Sequence, residues 1–466
     1  MLRFSARRFR SKEEFEGKRV LIMGLGLFGG GAGVARFLCE AGADVTVTDL
    51  KPEDKLRPSL ETLRGLPIRY RLGEHVAEDF EACDFLVVSP AVPDDSPFPA
   101  IAQKRGAELI TEMGLFLSLC PCKVIGVTGT KGKSTTTALL GEILRTAGIE
   151  TIVGGNIGAS LLARLDELAP DCFAVLEMSS FQIERFAPTG LAPQLALVVN
   201  LTADHLDRHE TVERYWFAKS WIVANQSQDC TAVLNADCVG TRCLKRLGYS
   251  KKVMFSSKTR EADVYRDGIE IIEGGKSVAS LRGMILRGEH NRENALAAIA
   301  AARVLGVGRE PIERALANFC GIEHRLELVG TLNGVTFIND SKATSPEATA
   351  VSLNALDEPV VLIAGGREKD LPLQPLLAAA ARRVKAVVLI GEATEHLSQE
   401  FRTTLPQLEV HRAANMQEAV REAFRLARPG WTVLLSPACT SWDMYNNYEE
   451  RGRDFKEAYR VIRDKH

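Results

Sequence analysis

Short apolar runs alternate with amphipathic stretches along this chain. The first apolar run is 19–23, and after a glycine-rich segment the positions 34–41 have helical periodicity. A second strand is predicted at 44–49, and a later one at the apolar run 85–89, which Pro90 ends. Runs of this length separated by helical segments are typical of β-α-β units. The pattern therefore predicts a mostly parallel sheet with right-handed crossovers.

The same rhythm begins again twice. The second round contains three apolar runs, at 123–128, 174–177 and 195–200. The third round contains four, at 335–339, 360–364, 387–390 and 432–435. Because 466 residues are too many for one hydrophobic core, we predict three tandem α/β domains with mostly parallel sheets. Their expected bounds are 1–122, 123–322 and 323–466.

Composition and charge exclude some classes of protein. Apolar residues make up 45% of the chain and charged residues 25%, as in ordinary globular proteins. The net charge of −2 argues against a nucleic-acid-binding protein, which would carry a basic surplus. The longest uncharged run, 20–35, contains six glycines and is too short to span a bilayer. We expect a cytoplasmic protein with no nucleic-acid or membrane partner.

The cysteines and the basic start of the chain suggest no special chemistry. None of the ten cysteines forms a C-x-x-C pair, and Cys120-Pro121-Cys122 has the wrong spacing for zinc. We therefore expect reduced thiols throughout.

Residues 1–10 carry four arginines and no acidic residue, and they lack the apolar stretch and cleavage site of a secretion signal. This segment is expected to be a disordered arm.

The second round opens with a candidate phosphate-binding loop, Gly129-Thr130-Lys131-Gly132-Lys133-Ser134-Thr135, between a predicted strand and a predicted helix. Glycines let backbone N–H groups point at phosphate oxygens, and the helix N-terminus adds partial positive charge. Lys133 can reach a β- or γ-phosphate, and Ser134 can bind Mg²⁺. Val127 replaces the first glycine of the standard Walker spacing, so this is a variant loop, and a plain turn is the alternative. The loop predicts an ATP-dependent enzyme.

Two polar residues follow the neighbouring predicted strands. Glu177 ends the next strand, and His205 comes shortly after the one that follows. Ligands of open parallel sheets bind at the carboxyl ends of strands. A loop histidine alone is more often a surface residue. Together with the phosphate loop, however, the two residues predict a magnesium-nucleotide site.

The first domain contains a dinucleotide-type glycine pattern, Gly24-Leu25-Gly26-Leu27-Phe28-Gly29, directly after its first predicted strand. Asp49 closes the second predicted strand, twenty residues beyond Gly29, where it could bind a ribose hydroxyl. The pattern indicates a diphosphate ligand without identifying it. A nicotinamide-dependent oxidoreductase is therefore an alternative from another class.

Eight motifs in order resemble the Mur ligases, the ATP-dependent amino-acid-adding enzymes of peptidoglycan synthesis. They lie at 129–135, 154–158, 177–182, 204–208, 288–298, 321–327, 339–344 and 436–441. The resemblance covers about residues 17 to 458. It implies a Rossmann-like UDP-binding domain, a central P-loop ATPase-like domain and a Rossmann-like domain for the amino acid. It also implies a monomer that adds D-glutamate to UDP-N-acetylmuramoyl-L-alanine through an acyl phosphate.

The resemblance implies roles for the central residues. Lys133 and the loop amides would hold the ATP phosphates, and Ser134 with Glu177 would hold one Mg²⁺. His205 and Lys219 would serve a second Mg²⁺, with Lys219 carbamylated so that a cation becomes an anion. From spacing alone, Lys219 would be interpreted as a solvated helix lysine. Lys133, His205 and Lys219 are thus implied as catalytic residues.

The resemblance also implies contacts from the other segments. Asn156 would contact the muramoyl part, Asn291 the adenine, Arg325 an ATP phosphate and Asp340 the ribose. The incoming glutamate would meet five residues, one of them the catalytic Lys342: Lys342, Thr344, Lys369, Ser441 and Tyr448. Without the resemblance, 340–344 would be a plain helix cap, Tyr448 a core aromatic and Asn291 part of an exposed helix face.

In the first domain the resemblance implies UDP as the ligand, not NAD. Five residues would contact it: Gly26, Leu27, Phe28, Asp49 and Lys51. Two departures concern this site: the glycine run at 29–33 is longer than usual, and Phe28 replaces a small hydroxyl residue. Ala91, in Ser89-Pro90-Ala91, stands where the family usually has glycine. These differences concern the details of UDP contact.

Two further alternatives stay open, and two others are disfavoured. The ligase could add L-glutamate or another amino acid, since no sequence feature determines the stereochemistry. A non-catalytic binding protein would need a decayed site, whereas the charged positions are intact. The diaminopimelate-adding sister is disfavoured because the chain has no Asp-Asn-Pro-Arg string. Folylpolyglutamate synthetase is disfavoured by the glycine-loop first domain.

Overall fold

The computed structural model describes residues 3–26, 29–156, 160–204, 206–286, 288–369 and 371–465. The chain divides into two compact units, Met1–Phe319 and Cys320–His466. The first unit contains two sheets and the second contains one. All three sheets are mostly parallel and packed with helices, so the predicted α/β class is confirmed.

The first sheet has five parallel strands in the order β3-β2-β1-β4-β5. Its elements are β1 Arg19–Met23, α1 Gly30–Glu40, β2 Asp44–Asp49, α2 Glu53–Thr62, β3 Arg69–Leu72, α3 Ala77–Ala82, β4 Phe85–Val88, α4 Pro97–Lys104, β5 Glu108–Ile110 and α5 Glu112–Leu119. The strand order reverses beside β1. The segment from β1 to α1 therefore opens at a switch point of the sheet, where such folds bind ligands.

Helix α1 begins four residues earlier than the periodicity predicted. Gly30, Gly31 and Gly33 belong to the helix, not to the loop before it. A Cβ on Gly31 would lie 2.4 Å from the Leu25 carbonyl oxygen, and a Cβ on Gly33 would lie 2.2 Å from Ser160 Cβ. The glycine run therefore allows close packing inside the helix, although glycine is a weak helix former.

The second sheet has nine strands in the order β14-β13-β12-β11-β10-β9-β6-β8-β7. Its elements are β6 Lys123–Thr128, α6 Lys133–Thr146, β7 Thr151–Gly155, β8 Phe173–Glu177, α7 Ser180–Phe186, β9 Leu195–Val198, α8 Leu206–His209, α9 Val212–Ala224, β10 Thr231–Asn235, α10 Val239–Cys243, β11 Lys251–Ser256, β12 Val264–Asp267, β13 Glu270–Glu273, β14 Lys276–Ser280, α11 Glu289–Val304 and α12 Arg309–Asn318. Strand β6 lies between β8 and β9 and is parallel to both. The ends of these three strands therefore share one edge.

The third sheet, in the second unit, has the order β15-β16-β20-β17-β18-β19, and only β15 pairs antiparallel. Its elements are β15 Glu327–Leu332, β16 Val335–Asn339, α13 Pro346–Asn354, β17 Val360–Gly365, α14 Gln374–Arg383, β18 Val384–Ile390, α15 Thr394–Thr404, β19 Glu409–Arg412, α16 Met416–Leu426, β20 Thr432–Leu435 and α17 Tyr448–Arg463. Short 3₁₀ turns lie at Lys12–Phe15, Leu162–Glu167, Ala187–Thr189 and Leu244–Arg246. In the described ranges, no helix is both long and apolar enough to cross a membrane.

The N-terminal arm, residues 3–11, is ordered, which corrects the expectation of disorder. Phe4 forms a bridge with Leu109 of β5. Phe9 is only 3% exposed, and its ring lies 4.7 Å from that of Phe15 and 5.8 Å from that of Phe85. The expectation of disorder rested on the arginines and overlooked Phe4 and Phe9. Burial of these apolar side chains stabilises the ordered arm.

One pair of cysteines corrects the expectation of reduced thiols. Cys122 and Cys172 form a disulfide. The two residues are fifty positions apart in sequence. They immediately precede β6 and β8, which pair in parallel, so the sheet brings them side by side. Local spacing could not reveal this neighbourhood.

Candidate active site

The phosphate loop, residues 129–135, connects β6 to α6 as predicted. Gly129 and Gly132 have φ angles of 158° and 80°, and Gly132 caps the helix in the left-handed region. A Cβ on Gly132 would lie 2.1 Å from Asn294 Oδ1. Asn294 in turn donates to Asn291 Oδ1 at 3.4 Å. The predicted adenine-binding residue is thereby connected to the loop through one side chain.

Asn200 shapes this loop from the end of β9. Its Oδ1 accepts from the backbone N–H groups of Thr130 at 3.0 Å and Lys131 at 2.9 Å, and its Nδ2 donates to the Lys131 carbonyl at 3.0 Å. Sequence reasoning assigned Asn200 no role. The available signal was an amide side chain at the end of the strand beside the loop's own strand. The loop is thus fixed before any ligand arrives, as preorganised sites require.

Lys133 begins helix α6 and lies over the phosphate loop. Its Nζ donates to the Thr130 carbonyl at 3.0 Å. Ser134 and Thr135 are half-buried in the same first turn. An ammonium group and a helix N-terminus here create a local positive field, which suits phosphate oxygens.

Glu177, at the end of β8, is 2% exposed. Its Oε1 accepts from Asn156 Nδ2 at 3.0 Å, whereas its Oε2 is buried and has no hydrogen-bond partner among the described residues. Burying a carboxylate oxygen without a partner is unfavourable. A hard cation such as Mg²⁺, which prefers oxygen ligands, would satisfy it. The residue therefore fits the magnesium site that its position predicted.

Lys219 is 1% exposed, so its interpretation as a solvated helix lysine is wrong. Its Nζ donates to Thr128 Oγ1 at 3.1 Å. Burial lowers the pKa of Lys219 well below its usual value, and the positive charge of Lys133 lowers it further. Glu177 and Asp204 act in the opposite direction. The strand ends thus gather two lysines and two carboxylates around one spot.

Only part of the second predicted metal site lies within the described residues. His205 lies outside the described residues, while Asp204 beside it is described. Within the described ranges no group of three or more His, Cys, Asp and Glu side chains could hold a metal. Tyr215 is buried, and its hydroxyl donates to Thr130 Oγ1 at 3.3 Å. Sequence reasoning missed Tyr215, although it lies four positions before Lys219 on the same helix face.

In the first sheet, Asp49 braces the glycine loop. Its Oδ2 accepts from the N–H groups of Leu25 at 2.9 Å and Gly26 at 3.1 Å, and its Oδ1 accepts from Lys51 N at 2.9 Å. The structure therefore brings Gly26, Asp49 and Lys51 together, as predicted for a shared site. Of the other predicted UDP contacts, Leu27 and Phe28 lie outside the described residues.

In the second unit, Asp340 follows β16 and is buried. Its Oδ1 accepts from Leu326 N at 3.1 Å, and its Oδ2 accepts from Ser436 Oγ at 2.7 Å. Burial is the main cause that raises the pKa of Asp340 to about 6. The predicted phosphate-binding Arg325 is exposed immediately before Leu326. The two predicted ATP contacts of this unit therefore lie close together.

The residues predicted for glutamate form two pairs. Lys369 Nζ donates to Thr344 Oγ1 at 3.1 Å. Lys342 Nζ lies 5.8 Å from the centre of the Tyr448 ring, at a cation–π distance. Ser441, the fifth predicted residue, is buried in the segment between β20 and α17.

Arg451, which sequence reasoning missed, joins the loops that carry these residues. It is buried and donates to the carbonyls of Ser341, Cys439 and Thr440, and to Ser341 Oγ. Ser341 Oγ donates in turn to the Tyr448 carbonyl at 2.7 Å. The only available signal was its position three residues after Tyr448, which places both on one side of a helix.

Three domain models of one family match this chain. Residues 18–111 match the Mur ligase MurD-like N-terminal domain, 127–302 the Mur ligase middle domain, and 324–439 the Mur ligase glutamate ligase domain. Among solved structures, the UDP-N-acetylmuramate-alanine ligase of Thermotoga maritima is similar, with a TM-score of 0.60 and 21% identity. The match covers 96% of this chain and all of that one. At this identity the likeness shows the fold alone.

Relatives with higher identity extend along nearly the whole chain. The UDP-N-acetylmuramoylalanine–D-glutamate ligase of Roseiflexus sp. (strain RS-1) is 44% identical, covering 95% of this chain and 98% of its own length. The enzyme of the same name from Alkaliphilus oremlandii (strain OhILAs) is 41% identical, covering 96% and 99%. From these matches and the three domain models, the chain belongs to the Mur ligase family, among the UDP-N-acetylmuramoylalanine–D-glutamate ligases.

Proposed function

We infer that this protein is an ATP-dependent ligase that joins D-glutamate to UDP-N-acetylmuramoyl-L-alanine, with release of ADP and phosphate, in peptidoglycan precursor synthesis. The observation that carries this function is the phosphate loop beside the buried Glu177, whose Oε2 has no partner among the described residues. Relatives at 38–44% identity bear the name of this ligase. An oxidoreductase would leave this arrangement without a use.

We also propose the domain bounds and their tasks. Residues 1–122 would bind UDP, 123–322 would bind ATP, and 323–466 would bind glutamate. Three sheets and three separate family matches support this division. In the first domain, Gly26, Asp49 and Lys51 would contact the UDP part together with Leu27 and Phe28.

When bound, MgATP would supply the phosphoryl group that turns the alanine carboxylate into an acyl phosphate, which an amine can attack. Lys133 and the amides of residues 129–135 would hold its phosphates, with Ser134 and Glu177 on one Mg²⁺. His205 and Lys219 would serve a second Mg²⁺. These cations would offset the repulsion between the anionic carboxylate and the phosphates. Asn291, Arg325 and Asp340 would contact the rest of ATP, and Asn156 the muramoyl part.

The second unit suits an amino acid with two carboxylates. Lys342 and Lys369 offer two cationic groups, and Thr344, Ser441 and Tyr448 offer hydroxyl groups. Glutamate carries an α- and a γ-carboxylate, so it could use both cations and several hydroxyls. Lys342 would also act close to the attacking amine. Desolvation by burial lowers the pKa of Lys369.

We propose that Lys219 is carbamylated. A neutral amine, not an ammonium, reacts with CO₂, and burial lowers the pKa of Lys219 in this direction. The nitrogen lone pair forms the N–C bond, one C–O π pair becomes the carboxylate charge, and an N–H proton leaves to solvent. The product is an anion where the unmodified side chain would be a cation, as a second magnesium ion requires.

Replacing Lys219 tests the carbamate. Lys219→Ala should lower kcat by about 10³-fold, because a metal ligand is lost. Acetate or formate should restore part of the activity by occupying the place of the carbamate. The control is Lys104→Ala, because Lys104 is an exposed lysine at the end of α4. It should show neither effect. Turnover near wild type in Lys219→Ala would show that the metal site lies elsewhere.

The reaction itself is tested by mixing MgATP, UDP-N-acetylmuramoyl-L-alanine and racemic glutamate. ADP release and a product containing only D-glutamate are expected, as measured by coupled assay and chiral chromatography. A product containing L-glutamate or another amino acid would support the alternative ligases. No ADP release with any amino acid, combined with tight NAD binding, would contradict the ligase function.

We further propose that the enzyme works as a cytoplasmic monomer without nucleic-acid or membrane partners. Its net charge of −2 offers no general attraction for polyanions. Size-exclusion chromatography with light scattering should give a mass near 51.0 kDa.

A further inference from the structure

Two arginines on helices that pack with the second sheet bind one loop of the first domain. The loop, residues 89–94, follows β4 and packs beside the glycine loop, since a Cβ on Gly24 would lie 2.8 Å from Ser89 Cβ. Arg185 lies in the last turn of helix α7, which begins three residues after Glu177. Arg208 lies in α8, four residues after Asp204. The arginines thus connect the proposed metal-binding segments to the proposed UDP-binding side.

Arg185 makes the more buried half of this connection. Its side chain is 3% exposed, and its guanidinium donates to the carbonyls of Ser89 and Val92 and to Asp94 Oδ1, the last at 3.0 Å. The guanidinium carbon also lies 5.5 Å from the centre of the Phe4 ring of the N-terminal arm. A planar guanidinium with several fixed donors suits such a set of acceptors, whereas a lysine would reach only some of them.

Arg208 binds the same loop from a second helix. It donates to the Pro90 carbonyl at 2.8 Å and to the Val92 carbonyl at 3.1 Å, and it lies 3.5 Å from Asp94 Oδ1. Its guanidinium stacks 4.1 Å above the Phe181 ring, which holds it in place. Both arginines therefore share the Val92 carbonyl and the Asp94 carboxylate.

We propose that Arg185, Arg208 and the 89–94 loop form an interdomain clamp that positions the UDP-sugar carboxylate against the ATP γ-phosphate. Arg185 and Arg208 are positioning residues, since neither lies in the phosphate loop or the proposed metal site. The proposal rests on the proposed ligase function, which requires a substrate anchored on one domain to react on the next. In such reactions a misplacement of about 1 Å can cost about 100-fold in rate.

The decisive variants are Arg185→Met and Arg208→Met, which keep an apolar stem and remove the donors. We expect kcat to fall by about 10- to 100-fold, while KM for MgATP and for the UDP-sugar changes by less than about threefold. Each substrate is anchored on its own domain, so binding should survive a loosened connection. The control is Arg145→Met, whose guanidinium pairs with Glu142 at 2.9 Å on the surface of α6. It should retain wild-type kcat.

A second readout does not depend on turnover. Hydrogen exchange of the amides in residues 89–96 should be faster in Arg185→Met and Arg208→Met than in wild type. Asp94→Asn keeps every carbonyl contact and removes one charge, so its kcat should fall by less than about fivefold. If Arg185→Met fails to fold, Arg208→Met decides by the same two measurements, because it leaves the buried Arg185 guanidinium in place.

Two kinetic results would overturn the clamp. One is unchanged kcat in both arginine variants, whatever the exchange rates do. The other is a rise in KM for the UDP-sugar as large as the fall in kcat, which would make the arginines part of the binding site. Failure of the ligase function would show differently, as no ADP release by the wild type. In that case hydrogen exchange alone tests the clamp. Faster exchange in the variants would show that the arginines hold the loop, and unchanged exchange would overturn the clamp.

Discussion

Glu177 is fixed at one oxygen and unsatisfied at the other. Asn156 holds Oε1, while Oε2 is buried without a partner among the described residues. A side chain arranged in this way is costly in the free protein, since desolvation is not compensated at one atom. The same arrangement leaves one anionic oxygen ready for a cation. Stability and catalysis should therefore respond in opposite directions when this charge is removed.

Glu177→Gln separates the two effects. We expect kcat to fall by about 10³-fold, because an amide does not provide an anionic ligand for Mg²⁺. The free energy of unfolding should stay the same or rise by about 1 kcal/mol, because a neutral group is easier to bury. Turnover at saturating Mg²⁺ and chemical unfolding measure the two quantities. Glu142→Gln, on the surface of α6, should change neither, and a Glu177→Gln enzyme within threefold of wild type would contradict the metal role.

Asp340 should make the stability of the protein depend on pH. Its pKa is raised from 3.8 to about 6 in the folded state, mainly by burial, so the folded protein binds this proton more tightly than the unfolded chain. The resulting stabilisation is complete below about pH 3.8 and is lost as the pH rises through about 6. At about 1.4 kcal/mol per pKa unit, the change is about 3 kcal/mol.

Asp340→Asn should remove this dependence. Between pH 4 and 7, the unfolding free energy of wild type should fall by about 2.5 kcal/mol relative to that of the variant. Urea unfolding at several pH values measures the difference. Asp357→Asn, whose side chain is fully exposed, serves as the control and should follow wild type. Parallel pH profiles for wild type and Asp340→Asn would show that the pKa of Asp340 is not raised.

At the scale of elements, the junction between β6 and α6 depends on Gly132 for two separate reasons. Its backbone is left-handed, with φ of 80°, and it faces Asn294 with no room for a Cβ. Gly148, just beyond the other end of α6, has nearly the same φ of 79° but nothing within 4 Å of a Cβ. The pair therefore separates backbone strain from the close approach of Asn294.

Gly132→Ala and Gly148→Ala make a matched comparison. Each should lose about 1 kcal/mol of unfolding free energy from the left-handed backbone. Only Gly132→Ala should also weaken ATP binding, by about tenfold or more, because displacing Asn294 distorts the phosphate loop. Calorimetric titration with MgATP measures this difference. Equal ATP affinity in the two variants would mean that the Asn294 contact has no part in nucleotide binding.

The elements that the sequence predicted best are the buried parallel strands. The bounds predicted for β1, β2, β6, β16 and β20 agree with the structure. Such strands are covered on both faces, so most of them are rich in apolar residues, although β2 alternates valine with polar residues. The meander β12–β14 was missed because its strands are half-exposed and mix polar with apolar residues. The start of α1 was misplaced because its glycines allow close packing against other segments, and for Gly33 the neighbour is Ser160, which is far away in sequence.

At the scale of the whole molecule, the N-terminal arm is part of the first unit. Besides burying Phe9, it reaches the second sheet's domain, where Arg8 Nε donates to the Thr189 carbonyl at 2.9 Å. Ser5 N donates to the Leu109 carbonyl at 2.8 Å, extending the edge at β5. A short basic segment thus contacts two domains.

Phe9→Ala should lower the free energy of unfolding by about 3 kcal/mol, as for other buried aromatic side chains. Phe217→Ala is the control, because Phe217 is 61% exposed and should cost less than about 0.5 kcal/mol. Thermal unfolding of both variants measures the difference. Equal unfolding temperatures would mean that the arm does not contribute to folding.

For the site, the sequence predicts what strand order determines and misses what depends on contacts between distant residues. Strand order places the phosphate loop and Glu177 at one sheet edge, so their association could be predicted from the pattern of strands. The burial of Lys219 could not, because helical spacing alone does not tell which face of α9 is covered. The roles of Asn200, Tyr215 and Arg451 were missed for the same reason. Each acts through a partner that lies dozens of residues or more away in sequence.

The bonds of Arg185 and Arg208 also bear on how this surface can evolve. Apart from Asp94, everything these arginines hold in the 89–94 loop is main-chain carbonyl, which every amino acid supplies. Ala91 is exposed, and its side chain makes none of the contacts that form this clamp. Sequence drift at such a position can alter what the loop presents to a sugar nucleotide while the mechanical connection between domains persists. Substrate preference and domain alignment can therefore be selected almost independently here.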